Sequence, residues 1–193
     1  MGCPYRTLLD LRALDDDTLV PAEDDDSERL FQVKGDEHER SYLEKLERER
    51  GRVAAVEPSG SLEERAARTM DAMRSGADVV FQATLLDHPW RGYADFLIKV
   101  ESHSNLGAFS YEVAGTKLAR TARPKHVVQI SVYSGLLEKI QGAMPKRMHL
   151  VLGDETTVSF RTDSVARYVD RACRRLEEFA ASSPSDLTPD PCV

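Results

Sequence analysis

Four residues that can hold a divalent cation or handle protons occur in three separate segments of the sequence. They are His38, Asp95 and the adjacent Thr116 and Lys117. An imidazole nitrogen, a carboxylate and a backbone carbonyl can all bind divalent cations. A lysine ammonium can orient a water molecule and offset negative charge. Together these residue types suit metal-assisted hydrolysis.

Taken singly, two of these residues also have ordinary structural interpretations. Asp95 lies in a strand of mostly apolar residues, where an unpaired buried carboxylate is costly, but strand alternation also allows it to face solvent. The apolar face of a predicted helix carries Phe31, His38, Tyr42 and Leu46. A histidine on such a face is often a core residue with satisfied hydrogen bonds. Convergence at one place would favour the catalytic interpretation.

A basic segment and a polar pair follow in the sequence and could contact nucleic acid. Between residues 117 and 147 the only acid is Glu138, and the bases are Lys117, Arg120, Arg123, Lys125, Lys139, Lys146 and Arg147. Such a segment can attract phosphates through its positive field, although a solvated helix face is the ordinary alternative. Gln129 and Tyr133 are four residues apart, so one helix face would present both to phosphate.

Hydrophobic periodicity predicts the helices and strands that position these residues. The predicted helices cover residues 27–50, 61–75, 124–141 and 163–181, and the predicted strands cover 52–57, 78–86, 93–100, 109–117, 147–152 and 156–161. Ser61 and Glu64 have the spacing of a capping box, and Pro124 and Gly142 mark the two ends of one helix. This order predicts an α/β fold with a central mixed β-sheet flanked by helices.

Composition and charge limit the classes of protein that fit. The chain has 193 residues, 41% of them hydrophobic, which is enough for one domain with a core. We expect an N-terminal segment with an acidic loop at 1–26, one domain at 27–181 and a flexible tail at 182–193. The net charge of −7 arises within the first 50 residues. No membrane span or signal peptide is apparent, so we expect a cytoplasmic protein.

The order of these motifs resembles the RecB-like branch of the PD-(D/E)XK nucleases. The resemblance rests on residues 35–43 with a histidine, 91–97 with an aspartate, 111–120 with a lysine, and a glutamine and tyrosine within 129–133. It implies a restriction-endonuclease-like core. It also implies a nuclease that hydrolyses DNA with Mg²⁺ or Mn²⁺, acts in DNA repair and works with other nuclease or helicase modules.

The same resemblance implies a role for each site residue. His38, Asp95 and the carbonyl of Thr116 would bind the metal, and Asp95 and Lys117 would be catalytic. The residues implied in DNA binding are Gln129, Tyr133, Arg120, Arg123 and Lys125.

The sequence departs from the family pattern at Gly115. The family has Asp or Glu two residues before the lysine, so that both side chains leave the same strand face. Glu112 could substitute only if a bulge intervenes, because five residues separate it from Lys117. Three hypotheses stay open: a weakened metal-dependent deoxyribonuclease, a catalytically inactive DNA-binding or assembly module of the same fold, and a structural domain with accidental matches.

Three cysteines bear on a further cofactor. Relatives often hold an iron-sulfur cluster with one N-terminal and three C-terminal cysteines, and Cys3 fits the first position. Only Cys173 and Cys192 follow it. A complete iron-sulfur cluster is therefore not expected within this chain, and the resemblance implies a shortened family member.

Overall fold

Six strands form one mixed sheet in the computed structural model of the chain, which describes residues 4–14, 16, 18–19 and 26–182. The strands are β1 (Val53–Ala55), β2 (Val79–Asp87), β3 (Trp90–Val100), β4 (Ser110–Thr116), β5 (Arg147–Val151) and β6 (Thr157–Arg161). Their order in the sheet follows the chain; β1–β2 and β4–β5 are parallel, and the other neighbours are antiparallel. The predicted α/β fold with a mixed sheet is confirmed.

Helices flank this sheet and make both of its parallel crossovers. The helices are α1 (Pro4–Arg12), α2 (Asp26–Arg50), α3 (Leu62–Arg74), α4 (Pro124–Gln141) and α5 (Ala166–Ala181), the last preceded by a 3-10 turn at Thr162–Ser164. Parallel neighbours need a crossover connection. The helix α3 supplies it between β1 and β2, and α4 supplies it between β4 and β5. The sequence pattern did not predict α1.

The local start and stop signals act as the sequence indicates. Ser61 caps α3, its side chain accepting from the Glu64 amide while the Glu64 carboxylate accepts from the Ser61 amide. Pro124 opens α4, and Gly142 ends it with a left-handed φ of 69°. The buried Gln141 side chain bonds both the amide and the carbonyl of Tyr111, at 2.8 and 3.1 Å. These bonds fix the end of α4 against the start of β4.

The two faces of the sheet carry different helices. The larger core packs α3 and α4 on one face, with Met73, Tyr111 and Ile130 among its buried residues. The smaller core packs α2 on the other face, where Leu46 is buried and the Tyr42 ring meets Phe96 edge to face at 5.2 Å. Because α2 lies across the sheet in this way, its preceding turns reach the end of β4.

Phe31 was predicted to lie on the buried face of α2, and this prediction is wrong. Its side chain is 67% exposed, and Leu30 and Val33 beside it are also exposed. The apolar residues of α2 that pack into the core on this face begin only at Tyr42. Among the described residues, the first turns of α2 therefore contribute no buried apolar side chain to either core.

Parts of the domain prediction fall on residues that the structure leaves out. The acidic loop at 15–26 lies mostly outside the described residues, and so does the tail at 182–193 apart from Ser182. Within the described residues, no helix has the combination of length and apolar character that crossing a membrane requires.

Candidate functional site

A cavity of about 330 Å³ lies between the first half of α2 and the end of β4. The structure brings the predicted residues His38, Asp95, Thr116 and Lys117 together around it, although they come from three distant segments. The full lining is Gln32, Gly35, Asp36, His38, Glu39, Asp95, Thr116, Lys117 and Leu118.

The carboxylate of Asp95 is oriented by the neighbouring strand. Its Oδ2 atom accepts from the Thr116 amide at 2.7 Å and from the Thr116 hydroxyl at 3.0 Å. Two such bonds offset much of the cost of placing a charge in a partly buried position. Oδ1 accepts no hydrogen bond from the described residues. Asp95 therefore presents one fixed and one available oxygen to the cavity.

His38 and Lys117 are both tied to the end of β5. The Nε2 atom of His38 lies 3.4 Å from the Val151 carbonyl oxygen, which is long for a hydrogen bond. The same carbonyl accepts from the Lys117 amide at 2.8 Å. The strong backbone bond fixes where Lys117 leaves the strand, while the weak contact leaves the imidazole able to exchange partners.

Gly115 leaves space beside Asp95, but that space is narrow. A Cβ at this position would lie 3.7 Å from Asp95 Oδ2 and 3.2 Å from Ile130 Cγ2. Its φ lies outside the left-handed region, so the backbone would accept another residue. A carboxylate at position 115 would thus leave the strand next to Asp95, and packing against Ile130 of α4 is the constraint on introducing one.

Glu112 lies elsewhere and has other partners. It is 7% exposed, its Oε2 lies 3.0 Å from His149 Nε2, and its Oε1 accepts from the Arg147 amide at 2.9 Å. It does not line the cavity. The register of β4 with β3 and β5 shows no bulge that would turn this side chain toward Lys117.

Glu39 is a cavity residue to which the sequence analysis gave no role. Its Oε1 accepts from the side-chain Nε2 of Gln82, a residue with a φ of 55° in the middle of β2. Burial raises the pKa of the Glu39 carboxyl above its ordinary value, and the charge of Asp95 raises it further, whereas the Gln82 bond lowers it. A helical signal was present, because Gln32, Gly35, Asp36 and Glu39 follow the spacing of one helix face.

His126, in the first turn of α4, is a second residue that the sequence analysis missed. It is 8% exposed, and its buried Nδ1 has no hydrogen-bond partner among the described residues. Burial lowers the pKa of His126, and the charges of Lys117, Lys125 and Arg123 lower it further. The surroundings of His126, the Lys117 charge included, thus favour the neutral imidazole over the charged one.

The residues predicted to contact DNA lie outside the cavity. Gln129 Nε2 donates to the Tyr133 hydroxyl at 2.9 Å, so the two side chains do share one face of α4. The Tyr133 ring lies directly on Gly92 of β3, where a Cβ would come within 2.6 Å of it. The exposed bases are on and just before the first turn of α4: Arg120, Arg123 and Lys125.

The cavity offers donors of the right type for Mg²⁺ or Mn²⁺, but they are not assembled. The carboxylates of Glu39 and Asp95 are donors that hard divalent cations prefer, and the His38 imidazole, which suits transition metals, favours Mn²⁺ over Mg²⁺. The repulsion between Glu39 and Asp95 is of the kind that a cation relieves. Nevertheless, no three His, Cys, Asp or Glu side chains of the described chain lie close enough together to hold a metal ion. Each donor instead has a contact with the protein.

The structure describes one of the three cysteines. Cys173 in α5 is partly buried. Burial raises the pKa of its thiol, and the negative charges of Glu177 and Asp170 raise it further. Cys3 and Cys192 lie outside the described residues.

No protein-family model matches this sequence, and no curated protein matches it. The fold and the site define only a broad class: an α/β protein with a six-stranded mixed sheet and a cavity lined by carboxylates, a histidine and a lysine. The narrower assignment depends on the motifs and on the geometry of that cavity.

Proposed function

We propose that this chain is a RecB-like nuclease domain of weakened activity, which hydrolyses DNA phosphodiester bonds with Mg²⁺ or Mn²⁺. The observation that carries the proposal is the convergence of His38, Asp95, Thr116 and Lys117 on one cavity. Accidental matches in three distant segments would have no reason to meet. The strand order, with helical crossovers, is compatible with a restriction-endonuclease-like core.

Three donors would hold the cation. Asp95 would use its free Oδ1, His38 a ring nitrogen, and Thr116 its carbonyl oxygen. When bound, such a cation polarises a phosphoryl oxygen and acidifies a bound water molecule. The bonds from Thr116 to Asp95 preorganise the carboxylate, so the protein makes no large rearrangement to present it.

Lys117 would act on the attacking water and on the phosphate. It leaves the end of β4 beside the cavity, and its charge acts on both Glu39 and His126. A protonated lysine there can orient the water through a hydrogen bond and offset the negative charge that grows on phosphate oxygens. The neutral His126 does not add a competing positive charge behind it.

The weakening follows from the ligand count. Gly115 removes one hard oxygen donor and one negative charge, and Glu112 is bound to His149 instead. Water must then complete the coordination, which lowers metal affinity and catalytic rate.

A second candidate function is an inactive nuclease-fold module that binds DNA or assembles with other nuclease or helicase modules. The absence, among the described residues, of a ready group of three metal-binding side chains favours it. This candidate keeps the basic start of α4 and needs no chemistry at Asp95.

The experiment that separates these functions is Mn²⁺-dependent cleavage of linear and circular DNA by purified protein. We expect slow cleavage that a chelator abolishes, and losses of about a hundredfold or more in Asp95→Asn and Lys117→Ala. Circular dichroism of each variant checks the fold. DNA binding without any cleavage in the parent would favour the inactive module, and cleavage that survives both substitutions would show that another protein or another site is responsible.

A further inference from the structure

We propose that Glu39 on α2 supplies to the cation site the carboxylate that position 115 on β4, a glycine in this chain, does not provide. The inference rests on the proposed function, since it concerns the same cation site. It assigns a metal-binding role to a residue that lies within the segment 35–43 but to which the resemblance gives no role.

The geometry of α2 directs Glu39 into the cavity. Several cavity-lining residues lie on one face of α2, because they are three or four positions apart. They are Gln32, Gly35, Asp36 and Glu39. Asp36 is exposed, whereas Glu39 is partly buried. Of the two acids on this face, Glu39 is therefore the one that lies inside the site.

The strands leave no other source for a second carboxylate near Asp95. At position 115 the nearest neighbours of an added Cβ are Ile130, Leu150 and Asp95. Glu112 is occupied by His149 and the Arg147 amide. Among the described residues that line the cavity, Glu39, Asp95 and the exposed Asp36 are the acids. Glu39 and Asp95 thus form the available pair.

Gln82 explains how Glu39 is positioned and why the site is not yet assembled. The side-chain Nε2 of Gln82 donates to Glu39 Oε1, which leaves Glu39 Oε2 for another partner. In the register of β2 with β3, Phe81 pairs with Phe96 and Ala83 pairs with Ala94. Gln82 lies between the first two and Asp95 between their partners, so Gln82 is opposite Asp95. A cation between the two carboxylates would have to draw Glu39 away from Gln82. That competition lowers affinity without removing the site.

The test is Mn²⁺ binding by the full chain, measured by isothermal titration calorimetry. Glu39→Gln keeps the size of the side chain and removes its charge. It should weaken Mn²⁺ binding about tenfold or more. Glu44→Gln is the matched control, because Glu44 is exposed on the same helix and does not line the cavity; its affinity should equal that of the parent.

A rescue variant tests whether Glu39 acts as the substitute for position 115. Gly115→Asp in the Glu39→Gln background should regain Mn²⁺ affinity, because it returns a carboxylate to the face of Asp95. Thermal unfolding without metal should show that Glu39→Gln is at least as stable as the parent, since it removes the charge repelled by Asp95. If Glu39 served only to stabilise the fold, Glu39→Gln would instead lower the melting temperature.

The outcomes separate this inference from the proposed function. If the parent binds Mn²⁺ and Glu39→Gln binds it equally well, Glu39 is not a ligand, and the proposed function stands without it. If the parent binds no Mn²⁺ at millimolar concentration, while the protein is folded, both fail. Weaker binding in Glu39→Gln that Gly115→Asp restores supports both.

Discussion

Asp95 is the residue on which the candidate site depends, because Thr116 holds one of its oxygens and leaves the other open. The same pair of bonds has a simpler use, which is to satisfy a partly buried carboxylate. What distinguishes the two uses is the surroundings: His38, Glu39 and Lys117 line the same cavity. A carboxylate that served only the sheet would not need an imidazole and a second acid nearby.

Gly115→Asp tests directly whether one missing carboxylate limits activity. The variant should bind Mn²⁺ more tightly and cleave DNA about a hundredfold faster than the parent, because the new carboxylate leaves the strand next to Asp95. Its Cβ lies 3.2 Å from Ile130 Cγ2, so a stability loss of about 1–3 kcal/mol is expected from overpacking.

Gly115→Ala is the control for this packing cost, since it adds the Cβ without the carboxylate. It should show a similar stability loss with no gain in metal binding or cleavage. A folded Gly115→Asp protein that behaves like Gly115→Ala in both assays would contradict the lost-ligand explanation and favour the inactive module.

At the scale of elements, α4 joins the candidate site to the candidate DNA surface. Its first turn holds the buried His126 and the exposed Lys125, and its next turns carry Gln129 and Tyr133. Tyr133 packs on Gly92 of β3, three residues before Asp95. A substrate that contacted the Gln129 and Tyr133 face of α4 would therefore be close to the strand that carries Asp95.

The neutral state of His126 predicts a pH dependence of stability. Its pKa in the folded protein lies below the ordinary value of 6.5, so the unfolded chain binds a proton more readily. The stability contributed by the neutral form is present above pH 6.5 and is lost as the pH falls from there toward the lower folded pKa. Urea unfolding at pH 7.5 and 5.5 should show this loss in the parent and a smaller loss in His126→Gln.

His103→Gln serves as the control for that measurement, because His103 is exposed in the loop after β3. It should keep the pH dependence of the parent. Equal losses of stability in the parent and in His126→Gln would show that the imidazole does not titrate differently on unfolding.

Local sequence signals predicted most of these elements because each helix and strand has its own boundaries. The Ser61–Glu64 capping box and the Gly142 stop depend on neighbours within a few residues, and both are present. The exposure of Phe31 was not predictable in this way, since periodicity shows which face is apolar but not where the sheet beneath it ends. The helix α1 was not predicted either, although Pro4 at its first position is a helix-start signal.

The candidate site was predictable only where residues match a motif. The sequence resemblance assigns positions in one site to His38, Asp95, Thr116 and Lys117, so their meeting could be expected from it. Glu39 could not be selected from the many acids of α2, because its place depends on contact with Gln82, 43 residues away. His126 likewise has no local signal, since its burial and its lowered pKa both arise from packing and from the charges around it.

At the scale of the whole molecule, positive and negative charges are unevenly distributed along the chain. The net charge of −7 arises in the first 50 residues, whereas the start of α4 and the loop before it are basic. A DNA backbone approaching the protein would be repelled by one region and attracted by the other. The uneven distribution thus favours one direction of approach, over the first turn of α4.

The salt dependence of DNA binding tests that direction. Each phosphate contact releases counterions, so the logarithm of the binding constant falls with the logarithm of salt concentration by about 0.9 per contact. Replacing Arg120, Arg123 and Lys125 together with Ala should therefore reduce the slope by about 2 to 3.

The matched control replaces three exposed arginines of α5 with Ala, namely Arg167, Arg171 and Arg175. That variant loses the same charge, and its slope should stay close to that of the parent. Fluorescence anisotropy with a labelled duplex between about 50 and 200 mM salt gives all three slopes. If the α5 variant loses the slope and the α4 variant keeps it, DNA crosses α5 and the proposed path to Asp95 is wrong.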